Sequence, residues 1–324
     1  MQIQLLLDDK RGNIFDISEL VTQITWKTKR KGKPSSLEFS FLKDKSIAIN
    51  NGYVVSFKAD NYKVFYGYVF DISGSKDQEI KVTAYDQIRY LLSNDTHAFT
   101  NKKASQIIMQ ILKNIGLTMG TIEDTGYVIP SLLEENKKLL DIMYSSLEKT
   151  LMSTKQTYIL YDDFGSICLK NINNMKQQVV ISDYSNLGDF DWKNSIDNDT
   201  YNRIKIVRDN KEIKGRDVYI GQDSENIAKW GRLQHFQKVD ENLNKAQIQE
   251  MINNLLKLKN RESKTLKLKD VLSTDIKEDL KLRAGSGVYV EIKEKDIGQY
   301  YLIEDATHKF EKGSLVMDFD LKVV

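Results

Sequence analysis

Hydrophobic and polar residues alternate along the first 95 or so residues, which is the two-residue period of a half-buried β-strand. The alternation occurs in VTQITWKT, SSLEFSFL, the segment from Tyr53 to Ser73, and EIKVTAYD. Asp60 and Asn61 divide the long segment, because this pair of residues favours a tight turn. The pattern predicts an N-terminal β domain over residues 1–95.

The period then becomes helical. One predicted helix face comprises Ala104, Ile107, Ile108, Ile111, Leu112 and Ile115, and Gly116 is suited to end this helix. A second helix has an apolar stripe at Leu139, Leu140, Met143, Leu147 and Leu151. Its predicted start is a Ser131–Glu134 capping box, with Asn136 as the alternative N-cap. With the short strands TYILYDD, SICLKN and QQVVIS, these helices predict a mixed middle domain over residues 96–185.

The remaining chain, residues 186–324, is again β in pattern. Strand candidates are NRIKIVRD, RDVYIG, SKTLKLKD, GVYVEIKE, QYYLIEDA and LVMDFDLKVV. One helix, at about residues 244–259, is predicted to be inserted among them. The fold class is therefore α+β and mostly β.

The two β regions resemble each other. A shift of 235 residues lays Gly52 over Gly287 and aligns three consecutive strand candidates. Matched apolar residues are Val55 with Val290, Phe57 with Ile292, and Phe65-Tyr66 with Tyr300-Tyr301. Because β alternation alone produces some agreement, the alternative is two unrelated β domains. We interpret the match as a duplicated β module.

Composition limits the function. Lys plus Arg total 48 and Asp plus Glu total 46, a net charge of +2, which is not the surplus of a protein that grips nucleic acid. The single cysteine, Cys168, allows no internal disulfide and fits synthesis in a bacterial cytoplasm. No run of 18 apolar residues occurs, so membrane insertion is not expected.

Residues that could carry catalysis are few. His97, His235 and His308 lack the spacing of a zinc site, and Cys168 lies in a strand candidate without a basic neighbour. Neither a cofactor nor a metal ion is predicted. The acid doublets are Asp8-Asp9, Glu123-Asp124, Glu134-Glu135 and Asp162-Asp163. They could each be half of a glycosidase pair, although acid doublets are commoner in turns and first helical turns, where we place Glu134-Glu135.

Two local features have structural or binding interpretations. Asp86 follows a strand candidate and precedes a helical pattern, so it is predicted to be a structural N-cap rather than a catalytic acid. The basic run KTKRKGKP is predicted to be a hairpin tip in solvent. Its functional alternative is a docking loop for an acidic partner, with Lys27, Lys29, Arg30, Lys31 and Lys33 as candidates.

The order of four segments resembles a known family. VTAYDQIRYLLSN, NKKASQIIMQILKNIGL, DTGYVIPSLLEENKKLLDIMYSSLEKT and TYILYDDFGSICLKN are similar to the XkdQ/YqbQ family. These are baseplate hub proteins of contractile phage tails and phage-tail-like bacteriocins, related to the T-even and Mu-type central hubs. The match is most specific between Lys81 and Asn171.

The resemblance implies two β-barrel-like tube domains per chain, joined by the middle domain. It also implies a homotrimer whose six tube domains join a hexameric tail tube to a threefold spike in a virion baseplate. The expected partners are the chain itself, tail tube protein, spike protein and other baseplate subunits. Ring and interface candidates, taken from the matched strands, are Val55, Phe57, Phe65, Tyr66, Val290, Ile292, Tyr300 and Tyr301.

Two other classes of function remain open at this point. A cell-wall hydrolase would use a carboxylate pair such as Asp162-Asp163. A carbohydrate-binding β protein would use exposed aromatic residues, for which Phe65, Tyr66, Tyr300 and Tyr301 are the candidates; core or interface packing is the simpler explanation of these four.

Overall fold

The computed structural model describes residues 1–42, 49–74, 76, 79–197, 199–210, 214–311 and 313–323. The protein is mostly β, with 52% strand and 21% helix in several sheets, which confirms the predicted class. Two compact units are present: Met1–Asp191 with Leu266–Val324, and Trp192–Thr265. None of the described helices is long and apolar enough to cross a membrane.

The first unit begins with seven strands. They are β1 Ile3–Asp8, β2 Ile14–Asp16, β3 Val21–Lys29, β4 Ser36–Leu42, β5 Val54–Ala59, β6 Tyr62–Gly74 and β7 Glu79–Tyr85. Asp60 and Asn61 form the turn between β5 and β6, both with positive φ (45° and 66°), a conformation that Asn and Asp tolerate.

The middle of the chain opens with a 3-10 helix, Gln87–Leu92. The elements that follow are β8 Asn94–Lys103, α1 Ala104–Asn114, β9 Met119–Ile122, β10 Val128–Lys138, α2 Leu139–Thr154, β11 Tyr158–Asp162, β12 Ile167–Asn171 and a 3-10 helix Ile172–Met175. The apolar faces of α1 and α2 are buried in one core with residues of β8, β10 and β12. Cys168 is buried in β12, and burial raises the pKa of its thiol.

The predicted start of the second helix is wrong. Ser131, Glu134 and Asn136 all lie in β10, and α2 begins after Lys138 as N-cap. The reason is long-range pairing: β10 is antiparallel to β8, with Ser131 opposite Thr100. Because β8 is not recognisable as a strand in the sequence, its partner was assigned to a helix start. Glu134-Glu135 therefore do not lie at a helix N-terminus.

Strand β13 Lys176–Ser182 is followed by β14 Asp189–Ser195, within which the second unit begins at Trp192. This unit contains β15 Arg203–Asn210, β16 Gly215–Gln222, α3 Ser224–Trp230, β17 Gln234–Val239 and α4 Lys245–Lys259, the helix predicted at about 244–259. Its sheet has the order β16-β15-β17. A Cβ on Gly221 would lie 2.2 Å from Ile252 Cγ2, so glycine permits α4 to approach β16 closely.

The chain then completes the first unit. Its last elements are β18 Ser263–Leu272, α5 Ile276–Asp279, β19 Gly287–Ile292, a 3-10 helix Lys293–Lys295, β20 Ile297–Glu311 and β21 Ser314–Lys322. These strands and β1–β7 belong to one 13-stranded sheet.

This sheet contains the same strand order twice. Repeat 1 runs β3-β4-β7-β6-β5-β1, and repeat 2 runs β14-β18-β21-β20-β19-β13. The final strand differs in direction, because β1 is antiparallel to β5 whereas β13 is parallel to β19. The predicted boundaries at residues 95 and 185 fall inside β8 and between β13 and β14; the division into tube domains stays a prediction.

Strand register is shared as well as order. Equivalent cross-strand pairs are Val55–Gly67 and Val288–Tyr301, then Ser56–Tyr66 and Tyr289–Tyr300. In the next ladder, a β-bulge lies between Val69 and Asp71 in repeat 1 and between Ile303 and Asp305 in repeat 2. Such agreement is what a duplicated module produces.

The uniform shift of 235 residues is nevertheless wrong in detail. It lays Phe65 over Tyr300, but Phe65 is 2% exposed and Tyr300 is 45% exposed. The structure matches Tyr66 with Tyr300 instead. The 3-10 turn Lys293–Lys295 replaces the two-residue turn of repeat 1, which changes the spacing between matched strands.

Candidate functional site: the junction of the two repeats

The two repeats are joined edge to edge by β3 and β20. These strands are antiparallel, with Lys29 opposite Asp305 and Trp26 opposite His308. The Trp26 and His308 rings lie 4.8 Å apart, and both side chains are buried. Burial lowers the pKa of His308 to about 4, so the imidazole is neutral at pH 7.

Ion pairs reinforce this junction. Arg30 donates from Nε and Nη2 to the two carboxylate oxygens of Glu304 at 2.7 and 2.8 Å, and Lys29 Nζ lies 2.9 Å from Asp305 Oδ2. The Arg30 main-chain N–H also donates to the Glu304 carbonyl at 2.9 Å. A two-point Arg–carboxylate pair fixes geometry as well as charge.

Part of the basic run is therefore engaged within the chain. Lys27 forms a 2.7 Å ion pair with Glu38, and the Lys31 ammonium lies 5.9 Å from the centre of the Tyr144 ring. Tyr144 Oη in turn donates to the Arg30 carbonyl at 3.0 Å. These contacts, with Lys29 and Arg30 above, account for four of the five docking candidates; their binding to an acidic partner stays a prediction.

A groove of about 470 Å³ lies beside the junction. Its charged lining residues are Lys27, Lys29, Lys33, Arg89, Glu38 and Asp305. Lys33, the fifth docking candidate, is on this wall. The groove carries both signs of charge, which does not single out one class of ligand.

Most ring candidates from the sequence are core residues. Val55, Phe57, Phe65, Val290, Ile292 and Tyr301 are buried in the main hydrophobic core. Their side chains stabilise the sheet; a role of these residues in a ring stays a prediction. Tyr66 is half-buried, with its ring 5.6 Å from Phe164, and Tyr300 packs 5.3 Å from Tyr289. The four aromatic candidates for sugar binding thus do not share one exposed face.

Asp86 is the N-cap of the 3-10 helix, and it belongs to a buried acid cluster. Its carboxylate accepts from the N–H groups of Ile88 and Ser35, each at 3.0 Å. Asp162 accepts from the N–H groups of Gly165 at 2.6 Å and Gln87 at 3.4 Å. The cluster connects the β3–β4 loop, the end of β7 and the β11–β12 turn.

Electrostatics in this cluster are unusual. Burial, together with the nearby Asp162 charge, raises the pKa of Asp86 to about 7, and burial also raises the pKa of Asp162. Arg283 opposes both shifts, with its guanidinium 4.5 Å from the Tyr161 ring and 5.7 Å from the Trp26 ring. A pKa near 7 and a second carboxylate are features of acid–base sites.

The surroundings favour a structural role. Both carboxylates are buried and accept main-chain N–H donors of their own chain, so they hold three segments together. Of the sequence doublets, only Asp162 of Asp162-Asp163 belongs to this cluster, because Asp163 is exposed. Glu134 pairs with Lys137 at 2.6 Å. In the part of the chain that the structure describes, no three His, Cys, Asp or Glu residues are grouped to hold a metal ion.

Sequence reasoning missed both long-range contacts. The β3–β20 pairing connects residues 276 positions apart at Lys29 and Asp305, and no local pattern predicts it. Asp86 was recognisable as a cap, but Asp162 as its neighbour was not. A possible signal was the turn sequence after Asp162, whose glycine N–H binds that carboxylate.

The fold is that of phage tail proteins. The 43 kDa tail protein of prophage MuSo2 from Shewanella oneidensis is 17% identical, with a TM-score of 0.72 over 99% of this chain and 98% of that one. The E. coli c3393 protein is 12% identical, with a TM-score of 0.56 over 99% and 77%. It is a component of the type VI secretion system described as similar to the T4 bacteriophage tail proteins gp27 and gp5.

The chain belongs to the YQBQ-like family, whose model matches residues 24–322. Two Bacillus subtilis relatives are each 29% identical: the uncharacterized protein YqbQ, over 280 residues, and the phage-like element PBSX protein XkdQ, over 278 residues. Both alignments cover 85% of this chain and 82% of the relative. The family suggested by the four sequence segments is thereby confirmed.

Proposed function

We propose that the chain is a structural hub subunit of a phage or phage-like baseplate. Three copies form a ring in which each copy contributes repeat 1 and repeat 2. The single observation that carries this proposal is the pair of repeats with shared strand order and register, joined edge to edge through β3 and β20.

The geometry explains why a repeat is useful. Two similar modules in each of three chains give six similar positions around one axis, although the molecule has only threefold symmetry. One face of such a ring can meet a hexameric tail tube, and the other can meet a threefold spike. This is how a single gene product joins two symmetries.

The comparisons support a role in a tail particle. Tail proteins share the fold, and XkdQ is named as a protein of a phage-like element. The c3393 protein, a component of the type VI secretion system, is also described as similar to two T4 bacteriophage tail proteins. We therefore propose tail tube protein, spike protein and other baseplate subunits as partners, in an assembled particle.

The hydrogen bonds of the acid cluster support a non-enzymatic role. Asp86 and Asp162 have the raised pKa values of catalytic acids, but their oxygens accept main-chain hydrogen bonds inside the protein. Holding the β3–β4 loop against the middle of the chain is a sufficient reason to keep them. In this proposal, the chain acts by pairing its strand edges and by contacting its neighbours in the particle.

Native mass measurement tests this function. The purified chain is measured alone and then mixed with the tail tube and spike proteins encoded beside it. We expect three copies per particle, either in the isolated chain or once the partners are added. A chain that stays monomeric in the mixture and binds neither partner contradicts the proposal.

A further inference from the structure

Strand β14 occupies in repeat 2 the place that β3 occupies in repeat 1. Each is the first strand of its repeat and pairs with the second strand: β3 pairs with β4, and β14 pairs with β18. Their sequences agree too: ITWKT of β3, from Ile24, corresponds to FDWKN of β14, from Phe190. The Trp-Lys pair is Trp26-Lys27 in β3 and Trp192-Lys193 in β14.

The outer edges of these strands differ. In β3 that edge pairs with β20. In β14 the described residues place no strand on that edge, because β14 ends the sheet. Trp26 is 3% exposed, whereas Trp192 is 54% exposed. An edge strand with an exposed indole is suited to accept another strand.

The matching donor edge is the second half of β6. In repeat 2, β20 continues past its bulge and residues Asp305–Phe310 pair with β3. In repeat 1, the equivalent residues of β6, Asp71–Gly74, pair with β7 on one side. On the other side, β5 pairs only as far as Tyr68, and the described residues provide no further strand.

We propose that Asp71–Gly74 of one chain pairs antiparallel with β14 of a second copy, as β20 pairs with β3 inside the chain. This inference rests on the proposed function, because it supplies the contact that closes the ring. Transferring the β20–β3 register gives the pairs Asp71–Ser195, Ile72–Asn194, Ser73–Lys193 and Gly74–Trp192.

The side chains fit this register. Gly74 takes the place of His308, so the Trp192 indole meets a residue without a side chain where Trp26 meets a ring. Ser73 and Lys193 are both exposed, so both positions of this pair are accessible to a second chain. The ring then has three junctions within chains alternating with three between chains, all built on the same pair of edges.

Disulfide trapping tests the contact. Ser73→Cys and Lys193→Cys are made in separate chains, both in a Cys168→Ala background, and the two chains carry different mass tags. Directly opposed residues have Cα atoms about 4.5–5.5 Å apart, which is within disulfide range. The two chains are mixed under the conditions of the native mass measurement and then oxidised. We expect a disulfide-linked dimer that contains one chain of each kind and is separated by a reducing agent.

A matched control uses a shifted position. Ser73→Cys is mixed with Ser195→Cys, whose Cα would lie about 7–8 Å away on the diagonal, beyond the usual range. We expect this mixture, and each single variant alone, to give at least tenfold less cross-linked dimer. Equal cross-linking by the matched and shifted pairs overturns the proposed register.

The outcome separates this inference from the hub proposal. A threefold native mass without the Ser73–Lys193 disulfide overturns the β6–β14 contact and leaves the trimeric hub intact. A monomer that binds neither partner overturns both. A threefold mass with the matched disulfide supports both.

Discussion

Repeat 1 and repeat 2 have the same strand order and the same register, but their first strands have different surroundings. Trp26 of β3 is covered by β20 of the same chain, whereas Trp192 of β14 is largely exposed. The equivalent strand is therefore paired on both sides in repeat 1 and lies at the end of the sheet in repeat 2. This difference is the basis of our proposal that the outer edge of β14 accepts a strand from a second copy.

The connection after the first strand also differs. In repeat 1, β3 and β4 are joined by residues 30–35, the tip of the basic hairpin. In repeat 2, the equivalent connection between β14 and β18 contains most of the second compact unit. An insertion at a hairpin tip leaves the ladders on either side unchanged, so the repeats could diverge there without losing their common sheet.

The largest expected effect compares the two tryptophans. Trp26→Ala removes a buried indole from the junction, and we expect it to lower the free energy of unfolding by about 3–5 kcal/mol. Trp192→Ala should lower it by less than about 1 kcal/mol, because more than half of that side chain is exposed. Urea unfolding at low protein concentration measures both, since assembly would itself add stability.

In an assembly assay, the order of the two effects should reverse. At a pH and temperature where both are folded, Trp192→Ala is expected to reduce the fraction of trimer more than Trp26→Ala does. Equal losses of unfolding free energy for the two variants would contradict the difference between the covered and uncovered strands.

A smaller effect concerns pH. Because the folded-state pKa of Asp86 is raised from 3.8 to about 7, the folded chain holds this proton more tightly, and its contribution to stability declines as pH rises from about 4 to 7. Asp86→Asn keeps one oxygen for the cap but cannot ionise. We expect its loss of unfolding free energy to be greatest near pH 4, to be smaller at pH 5 and to reach its lowest value above about pH 7.

Chemical denaturation across this pH range is the measurement, and Asp163→Asn is the control. Asp163 is exposed, and its charge contributes least of the causes that shift the pKa of Asp162. This substitution should therefore change the pH dependence far less than Asp86→Asn does. If Asp86→Asn costs as much at pH 8 as at pH 5, Asp86 is ionised throughout and the account of the buried cluster is incorrect.

The smallest effect compares two basic residues of the hairpin. Arg30→Ala breaks the partly buried, two-point pair with Glu304, and we expect a loss of about 1–2 kcal/mol. Lys27→Ala breaks an exposed pair with Glu38 within repeat 1, for which we expect less than about 0.5 kcal/mol. The free energies of unfolding of both variants are measured at low and high salt. A loss for Lys27→Ala as large as that for Arg30→Ala would contradict a larger contribution of the junction between the repeats.

Much of the β framework was predictable because alternation is a local signal. The strands around Val55 and Val290, the Asp60-Asn61 turn and the Ala104 helix follow from residues within a few positions of each other. The start of the second helix expected at Ser131 is wrong because pairing with β8 makes that segment a strand, whereas the helix itself is present as α2. The shift of 235 failed at Tyr300 because turn length, which varies between repeats, moves the faces by one residue.

The candidate site was less accessible. The ring candidates were taken from the matched strands, and most of them are apolar residues that pack in the core, as Phe57 and Ile292 illustrate. The edges that we propose to pair are rows of main-chain N–H and C=O groups in β6 and β14. These groups are present whatever the side chains are, so the sequence does not reveal them. The contact between Trp26 and His308 is visible only in the structure. That contact is what makes the exposed Trp192, at the equivalent position of β14, informative.

The most direct test of the central claim is a cryo-EM map of the assembled ring. We predict three chains whose six repeats lie side by side, with β20–β3 junctions inside chains alternating with β6–β14 junctions between chains. A ring with another number of chains, or three chains in contact through α1 and α2 with β14 left exposed to solvent, would contradict it.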